Sequence, residues 1–398
     1  MTQTKQKQII LPKNFLLGAA TSSHQIEGNN SKNDWWYWEQ QGRVPKSGQA
    51  CDSYNRYKED FKITKEIGLN TFRLSIEWSR VEPEPGKFSV AEIKHYREVL
   101  QELKSQQLTS VVSLHHFTLP LWAANQGGFK SNKVIQSFAQ FAKMMAQELG
   151  DLVDYWNTIN EPGVYVNMGY IQGFWPPFSK NVLDAGIIYY LKFVKVHKLA
   201  YQAIKSVDPN AQVGLAKNNL YNAPFRPSSF LDRLIVKFSD WYGNYLFLDR
   251  IKNHLDFIGI NYYFTHTLKL SLTRGVEHIK IGGLSSDMGW RTYPEGIYHV
   301  TRDLYQRYKL PILITENGIA NAHDDMRQDF IWQHLLWLQK AMSEGVQIIG
   351  YLYWSLLDNY EWSDGYGPKF GLVEVNMQTF ERKVRPSAQV YKKIQIKK

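Results

Sequence analysis

Pro311-Ile312-Leu313-Ile314-Thr315-Glu316-Asn317-Gly318 is an apolar run that ends in a carboxylate and a turn pair. Its continuous apolar and β-branched residues predict a strand that is buried on both faces. The Asn-Gly pair ends that strand. Glu316 therefore lies where a buried strand reaches the surface of the fold. A charge in such a place is costly unless it is paired or used, so Glu316 is the first candidate functional residue.

Seven further apolar segments of this kind occur along the chain, and segments with helical spacing separate them. They predict strands at about 15–20, 71–78, 108–114, 155–159, 212–216, 257–260 and 346–354. Helices are predicted near 53–67, 89–106, 131–149, 183–206, 229–248, 294–308 and 324–343, and a small hairpin within 265–290. Eight buried strands that alternate with helices predict an α/β fold, a single (β/α)8 TIM barrel. Such barrels place the active site at the C-terminal ends of the strands.

The composition is ordinary for a globular protein and excludes several classes of partner. The 398 residues carry a net charge of +10, and 43% of them are hydrophobic. We expect one barrel domain over residues 1–398, with residues 1–10 as a flexible tail. The lysines are spread out and accompany no nucleic-acid module, so no nucleic-acid partner is expected. The single cysteine, Cys51, fits a reducing compartment, and no segment approaches the roughly 20 apolar residues of a membrane helix. These features predict a cytoplasmic protein with no membrane partner.

Polar side chains follow most of the predicted strands at the point where each strand ends. They are Gln25, Arg73, His116, Asn160, Glu161, Asn261, Tyr263, Glu316 and Trp354. Because all strand ends meet at one rim of a barrel, these side chains are expected to converge. An aromatic content of 14% adds flat apolar faces, which suit the stacking of a sugar ring.

Two carboxylates stand out, Glu161 after strand four and Glu316 after strand seven. Paired carboxylates that face each other across a cleft are what glycoside hydrolysis requires: one protonates the leaving oxygen, and the other attacks or activates water. A nucleophilic carboxylate must stay charged, and Arg73 and Tyr263 are suitable hydrogen-bond donors to Glu316. The sequence contains no Cys/His metal spacing, Gly-rich phosphate loop or Gly-x-Ser-x-Gly motif, so neither a metal nor a cofactor is expected.

Several motifs resemble one family closely. Thr158-Ile159-Asn160-Glu161-Pro162 and Ile314-Thr315-Glu316-Asn317-Gly318 look like the acid/base and nucleophile signatures of glycoside hydrolase family 1, the β-glucosidase family. Ser23-His24-Gln25-Ile26-Glu27-Gly28, His116, Asn261-Tyr262-Tyr263 and the segment from Trp354 to Trp362 match as well. The resemblance runs in order from about Phe15 to Tyr391.

The resemblance implies a retaining β-glycosidase that acts through a covalent glycosyl-enzyme. Glu316 would be the nucleophile, Glu161 the general acid and then the general base, and their carboxyl groups would lie roughly 5–5.5 Å apart. β-Glucosides and cello-oligosaccharides would be substrates, with side activity on β-galactosides and β-fucosides. The residues expected to contact the sugar are Gln25, His116, Asn160, Asn261, Trp354, Glu361, Trp362 and Phe370. Trp290 resembles the family's aglycone-side tryptophan, although a packed core tryptophan is an equal interpretation.

The sequence departs from the family pattern at three places. Phe117 stands where a tryptophan often follows the histidine, and Thr118 replaces a common aspartate. The segment between Gly318 and Asp329 lacks the usual acidic insertion, which predicts a more open rim.

Three alternatives to a β-glucosidase stay open. A 6-phospho-β-glycosidase needs a cation in the loop after strand eight, where this chain has Glu361, Pro368 and Phe370. A catalytically silent sugar-binding barrel is expected to lose one of the two glutamates, yet both are present. A transglycosylase uses the same residues, and the sequence does not separate it from a hydrolase. The sequence leaves the oligomeric state open.

Overall fold

Eight parallel strands close into a barrel in a computed structural model that describes residues 8–271, 273–279 and 285–397. We number these strands β1 to β8. They are Leu16–Ala20, Thr71–Ser75, Thr109–Ser113, Tyr155–Asn160, Gln212–Asn218, Ile258–Asn261, Ile312–Asn317 and Ile348–Trp354. Their order around the barrel follows the sequence, and β8 closes the ring by pairing in parallel with β1. The predicted (β/α)8 barrel is confirmed.

Helices follow the strands at the predicted places. We number them α1 to α9: Ser53–Glu66, Val90–Ser105, Asn132–Leu149, Val182–Ile187, Val194–Val207, Phe230–Ser239, Leu246–Ile251, Glu295–Tyr308 and Arg327–Ser343. Helix α3 shows why they pack on the barrel, because its buried Val134, Phe138, Phe141 and Met145 recur at helical spacing. Further helices, of four to seven residues each, lie near the rim at Ser23–Ile26, Asp34–Gln40, Trp78–Val81, Leu121–Asn125 and Pro162–Val166.

Two helices that the sequence predicts as continuous are interrupted by π-helical turns. Ile188–Phe193 separates α4 from α5, and Asp240–Tyr245 separates α6 from α7. The two turns face each other, since the rings of Tyr190 and Tyr242 lie 5.6 Å apart. A further π-helical turn, Asn167–Gln172, follows β4.

The ends of β4 and β7 carry register irregularities. The pairing of β7 with both neighbours shifts after Ile314, and the pairing of β4 with β5 shifts between Asn157 and Asn160. Such bulges redirect side chains at barrel rims. Here they lie immediately before Glu316 and Glu161.

A small sheet stands beside the rim. Thr265–Ser271 and Gly275–Ile279 form the predicted antiparallel hairpin. Tyr221–Pro224, a strand that the sequence did not predict, pairs in parallel with Thr265–Ser271. Residues 272 and 280–284 of the predicted excursion lie outside the described residues.

The two ends of the described chain pair with each other. Ile10–Leu11 forms a parallel pair with Gln395–Ile396, and Ile9 and Leu11 are fully buried. The expectation of a tail over residues 1–10 was therefore wrong for Ile9 and Ile10, while residues 1–7 lie outside the described residues. Among the residues that the structure describes, no helix is both long and apolar enough to cross a membrane.

Candidate active site

A cavity of about 840 Å³ opens at the C-terminal ends of the strands. Glu161 and Glu316 both line it, although they come from strands on opposite sides of the barrel. It also contains most of the aromatic residues that the sequence places at strand ends. The cavity is therefore the place where the predicted residues can act together.

Glu316 is held by a donor on each oxygen. Arg73 Nη1 lies 2.5 Å from Oε1, and the Tyr263 hydroxyl donates to Oε2 at 2.7 Å. Arg73 is fully buried and also donates to the Thr315 carbonyl, so its guanidinium is fixed in place. The pKa of Glu316 is raised overall, because burial outweighs the Arg73 charge and the Tyr263 hydroxyl, which both lower it. These two donors are the ones expected from the sequence.

Glu161 has a different environment. It precedes the helix Pro162–Val166 with a left-handed backbone, φ +41°, and is 7% exposed. Asn218 Nδ2 donates a long hydrogen bond, 3.4 Å, to Glu161 Oε1. Burial, followed by repulsion from Glu316, raises the pKa of Glu161 to about 8. Glu161 thus holds a proton at neutral pH, as a general acid must.

A chain of amides joins Arg73 to His116. Asn160 Oδ1 accepts from Arg73 Nη2 at 2.7 Å and from Asn261 Nδ2 at 3.2 Å. Asn160 Nδ2 therefore faces His116 Nε2, at 3.2 Å, and donates to it. This leaves the proton of the neutral imidazole on Nδ1, which has no hydrogen-bond partner among the described residues. Burial lowers the pKa of His116 well below its usual value, so the ring stays neutral.

Glu361 lies on the cavity wall after β8. Gln25 Nε2 donates to it at 3.2 Å, and the Ser22 hydroxyl orients that amide by donating to Gln25 Oε1 at 2.7 Å. Burial raises the pKa of Glu361 to about 8, with Glu316 as the next cause.

Aromatic rings form the floor and one side of the cavity. The Trp354 and Trp362 rings are nearly parallel to the His116 ring, at centroid distances of 5.8 and 6.1 Å. Phe370 lies 6.1 Å from Trp290 and lines the same space. Trp290 is half-buried on the cavity wall, with its ring 5.6 Å from that of Tyr263. This position favours the aglycone-side interpretation of Trp290 over a packed core residue.

The departures from the family pattern have structural consequences. Phe117 is buried against Trp175 and Trp362, at centroid distances of 5.0 and 5.3 Å, and presents no N–H to the cavity. Thr118 donates instead to Glu77, with 3.1 Å to each carboxylate oxygen.

The site residues predicted from the sequence fall into two groups. Those that line the cavity are His116, Glu161, Tyr263, Trp290, Glu316, Trp354, Glu361, Trp362 and Phe370. Those that are fully buried behind the lining are Gln25, Arg73, Asn160 and Asn261. The structure therefore brings all of them to one place. The buried residues hold side chains of the lining in position through hydrogen bonds. Among the described residues, no group of three or more His, Cys, Asp and Glu side chains could hold a metal.

Sequence reasoning missed Lys217, the lysine at the end of β5. Its ammonium donates to the carbonyls of Asn218 and Gly243 and lines the cavity near Glu161. Burial lowers the pKa of Lys217 to about 7, while the nearby Glu161 opposes that change. The available signal was a lysine directly after the strand predicted at 212–216, because an ammonium group at the end of a buried strand needs partners.

A (β/α)8 barrel with two buried carboxyl groups of unlike environment, set in an aromatic cavity at the strand ends, is the architecture of a glycoside hydrolase. The sequence model of glycosyl hydrolase family 1 matches residues 7–249 and 247–398. The chain belongs to glycosyl hydrolase family 1, and it is a β-glycosidase of that family.

Relatives match over nearly the whole chain. β-Glucosidase A of Thermotoga maritima is 30% identical, over 96% of this chain and 97% of its own length. A β-galactosidase of Pyrococcus woesei is also 30% identical, over 94% of each chain. The solved structure of a β-glycosidase from Pyrococcus horikoshii superposes with a TM-score of 0.90 at 38% identity, covering 97% of this chain and 94% of that one.

Proposed function

We propose that this protein hydrolyses terminal non-reducing β-D-glucosyl residues, with side activity on β-galactosides and β-fucosides, by double displacement. The observation that carries the proposal is the contrast between the two carboxyl groups. Glu316 is paired with Arg73 and Tyr263, whereas burial raises the pKa of Glu161 to about 8. Burial raises the pKa of both groups, so the difference lies in their partners: a guanidinium and a phenol hydroxyl favour the charged form of Glu316, whereas Glu161 has the Asn218 amide. Relatives named β-glucosidase and β-galactosidase support both sugars.

In the first displacement, a carboxylate oxygen of Glu316 attacks the anomeric carbon of the bound sugar. The bond from that carbon to the aglycone oxygen breaks, and Glu161 gives its proton to that oxygen. Arg73 and Tyr263 favour the ionised form of Glu316 that attacks, and their hydrogen bonds fix the plane of the carboxylate. The alcohol leaves, and the sugar stays on Glu316 as an ester.

In the second displacement, water attacks the same carbon. Glu161, now a carboxylate, takes a proton from that water, and the bond between the carbon and Glu316 breaks. Two inversions restore the β configuration of the released sugar. Loss of the sugar ester returns the negative charge to Glu316 beside Arg73, and Glu161 is again protonated.

Polar groups around the cavity would orient the sugar for this reaction. The unpartnered Nδ1 of His116 is a ready donor to a sugar hydroxyl. Glu361, held by Gln25, offers oxygens that bind two neighbouring hydroxyls, and the Trp354 ring provides a stacking floor. Asn160, between Arg73 and His116, would contact the hydroxyl beside the reacting carbon.

A 6-phosphorylated sugar is disfavoured by the same wall. Among the described residues that line the cavity, Lys217 is the one lysine or arginine, and its side-chain nitrogen is already bonded to two carbonyls near Glu161. Glu361 and Phe370 occupy the positions where a phosphate-binding cation would be needed.

The nucleophile is tested by Glu316→Gly. This variant should lose turnover of an aryl β-glucoside by about 10⁴-fold or more, since it removes the attacking group. Azide or formate that fills the space should restore activity and give an α-configured glucosyl product, because only one displacement occurs. Glu361→Gly is the matched control, a carboxylate lost from the same cavity. Its activity should fall without rescue by azide, and rescue of Glu361→Gly alone would refute the assignment.

A further inference from the structure

A hydrogen-bonded pair, His24 and Glu39, lies behind the cavity wall and takes no part in the two displacements. Both side chains are fully buried, and His24 Nε2 lies 2.9 Å from Glu39 Oε1. His24 belongs to the helix Ser23–Ile26 and Glu39 to the helix Asp34–Gln40, and neither residue lines the cavity. Because burying a carboxyl group costs free energy, its partners must offset that cost.

The partners of the pair fix the orientation of the His24 ring. Asn33 Oδ1 accepts a hydrogen bond from the backbone N–H of Trp36 at 2.8 Å, so Asn33 Nδ2 donates to His24 Nδ1, at 2.9 Å. The imidazole proton is therefore on Nε2, which donates it to Glu39. Glu39 Oε2 accepts from the backbone N–H and the hydroxyl of Ser47, at 3.0 and 2.8 Å. With a polar partner at each nitrogen, the ring cannot rotate without losing a hydrogen bond.

The fixed face of His24 supports the indole of Trp362. The two rings are stacked, with an angle of 14° between their planes and 5.8 Å between their centroids. Trp35 packs against the same indole at a centroid distance of 4.6 Å. Trp362 has a left-handed backbone, φ +51°, which is unfavourable for a bulky residue and persists only where the surroundings hold it. His24 is part of those surroundings.

Glu39 is also tied to the loop that carries Trp362. The Tyr366 hydroxyl, farther along the same loop, donates to the carbonyl of Ser47. Ser47 in turn donates to Glu39 through its backbone N–H and its hydroxyl. Glu39 therefore contacts both the His24 ring behind Trp362 and the segment that anchors the loop.

Trp362 is placed to bind the sugar directly. Its side chain lines the cavity, and its indole N–H makes no hydrogen bond within the described part of the chain. That donor is therefore available to a sugar hydroxyl. Since hydrogen bonds weaken steeply as their angle departs from linearity, the position of the ring sets the strength of this contact.

We propose that the His24–Glu39 pair determines sugar specificity, because it positions Trp362 so that the indole N–H binds one hydroxyl of the non-reducing sugar. His24 and Glu39 are positioning residues that act through Trp362. The pair makes and breaks no covalent bond, and its effect is on how tightly that one hydroxyl is bound. The inference rests on the proposed function, which supplies the sugar that fills the cavity.

Non-hydrolysable ligands test the inference without turnover. Phenyl 1-thio-β-glucoside and its 2-, 3-, 4- and 6-deoxy analogues are titrated by calorimetry into wild type and Trp362→Phe, which keeps a ring and loses the N–H. The ratio of Kd between an analogue and the parent is the deoxy penalty. One penalty should be about fivefold smaller in Trp362→Phe than in wild type, and this identifies the hydroxyl that Trp362 binds. Penalties that are identical in both proteins would overturn the inference.

Two variants of the pair then test positioning. His24→Phe keeps a ring against Trp362 and loses both ring hydrogen bonds, whereas Glu39→Gln keeps the shape of the side chain and loses its charge. Each should reduce the same penalty about threefold or more and leave the other three unchanged. Ser47→Ala removes one donor from Glu39 and is the milder variant, with the same direction of effect, if His24→Phe does not fold.

His334→Phe is the matched control. His334 is a fully buried histidine on helix α9 that is hydrogen-bonded to the Phe330 carbonyl and does not line the cavity. Its four penalties should equal those of wild type. If the variants of the pair lower only the free energy of unfolding, as His334→Phe is expected to do, the pair is merely structural and the inference fails. An equal reduction of all four penalties would also overturn it, since the whole site would then have loosened.

The remaining outcomes separate this inference from the proposed function. Turnover of an aryl β-glucoside by the same preparations reports the hydrolytic reaction. Loss of one penalty in the variants, without turnover in wild type, would support the inference and refute the hydrolase. Turnover in wild type, with penalties that no variant of the pair changes, would support the hydrolase and refute the inference.

Discussion

At the scale of single residues, burial alone does not decide how the two catalytic carboxyl groups are protonated. Glu161 is 7% exposed and Glu316 is 3% exposed, so both lose nearly all their hydration. Their neighbours differ: Glu316 has a guanidinium at 2.5 Å, and Glu161 has the amide of Asn218 at 3.4 Å. Two identical side chains thus differ because neighbouring strand ends place different hydrogen-bond donors beside them.

The raised pKa of Glu161 predicts how activity depends on pH. An acid catalyst must hold its proton, so kcat/KM should fall about tenfold per pH unit above the pKa of Glu161, which is about 8. An acidic limb should come from Glu316, which must be ionised to attack and whose pKa is also raised. Glu161→Ala should lose this alkaline limb and retain substantial activity only on dinitrophenyl leaving groups, which need no proton. The measurement is kcat/KM of aryl β-glucosides from pH 4 to pH 10.

Glu361 requires a control in that experiment. Its pKa is also raised to about 8, so its ionisation could produce a limb in the same range. Glu361→Gln keeps the shape of the side chain and cannot titrate. The alkaline limb should persist in Glu361→Gln, and its disappearance there would move the assignment from Glu161 to Glu361.

Much of the site at this scale was predictable from the sequence, because the chemistry follows the ends of recognisable strands. Arg73 and Tyr263 were expected to donate to Glu316, and both do. The position of Asn261 behind Asn160 was not predictable, since it depends on a hydrogen bond between strands β4 and β6. The free Nδ1 of His116 likewise follows from its neighbour Asn160 and not from its own sequence context.

At the scale of elements, Lys217 connects the strand ends of the barrel to the helical segment that follows β5. Its ammonium joins the end of β5 to Gly243 in the π-helical turn Asp240–Tyr245. The sequence predicts one helix over 229–248, because apolar spacing alone does not reveal an extra residue in a turn. The contact between Lys217 and Gly243, 26 residues apart, has no local signal either.

The lowered pKa of Lys217 predicts a pH-dependent effect on stability. The unfolded lysine stays protonated to about pH 10.5, whereas the folded one loses its proton near pH 7. Between these values the unfolded state binds more protons, so this residue adds stability as pH rises. Lys217→Met removes that gain. The unfolding free energy of the variant, relative to wild type, should therefore fall by on the order of a few kcal/mol as pH rises from 7 to 10.

Urea unfolding across that pH range measures the effect. Lys143→Met is the matched control, because Lys143 is exposed on helix α3. The difference in unfolding free energy between Lys143→Met and wild type should not change with pH. If Lys217→Met behaves in the same way, its ammonium is not buried in solution.

At the scale of the whole molecule, the barrel was predictable because its signal is repeated. Eight apolar runs alternate with amphipathic segments such as α3, and each repetition supports the same architecture. The pairing between the two ends of the described chain was not predicted, because its signal occurs only once. Ile10–Leu11 and Gln395–Ile396 form only two pairs, between segments at opposite ends of the sequence, so neither segment is long enough to stand out as a strand.

This terminal pair should matter for the stability of the barrel and not for its chemistry. Leu11 is fully buried, so Leu11→Ala should reduce the free energy of unfolding by about 2–5 kcal/mol through the lost contacts and the cavity left behind. Ile10 is the matched control on the other face of the same short strand, 40% exposed, and Ile10→Ala should cost about 0.5 kcal/mol or less. Chemical denaturation measures both values, and aryl glucoside turnover at low temperature should be unchanged in each, because the pair lies outside the cavity lining. Equal losses for Leu11→Ala and Ile10→Ala would mean that the terminal pair does not pack against the barrel in solution. A loss of turnover in folded Leu11→Ala would instead mean that closure of the chain ends supports the geometry of Glu161 and Glu316.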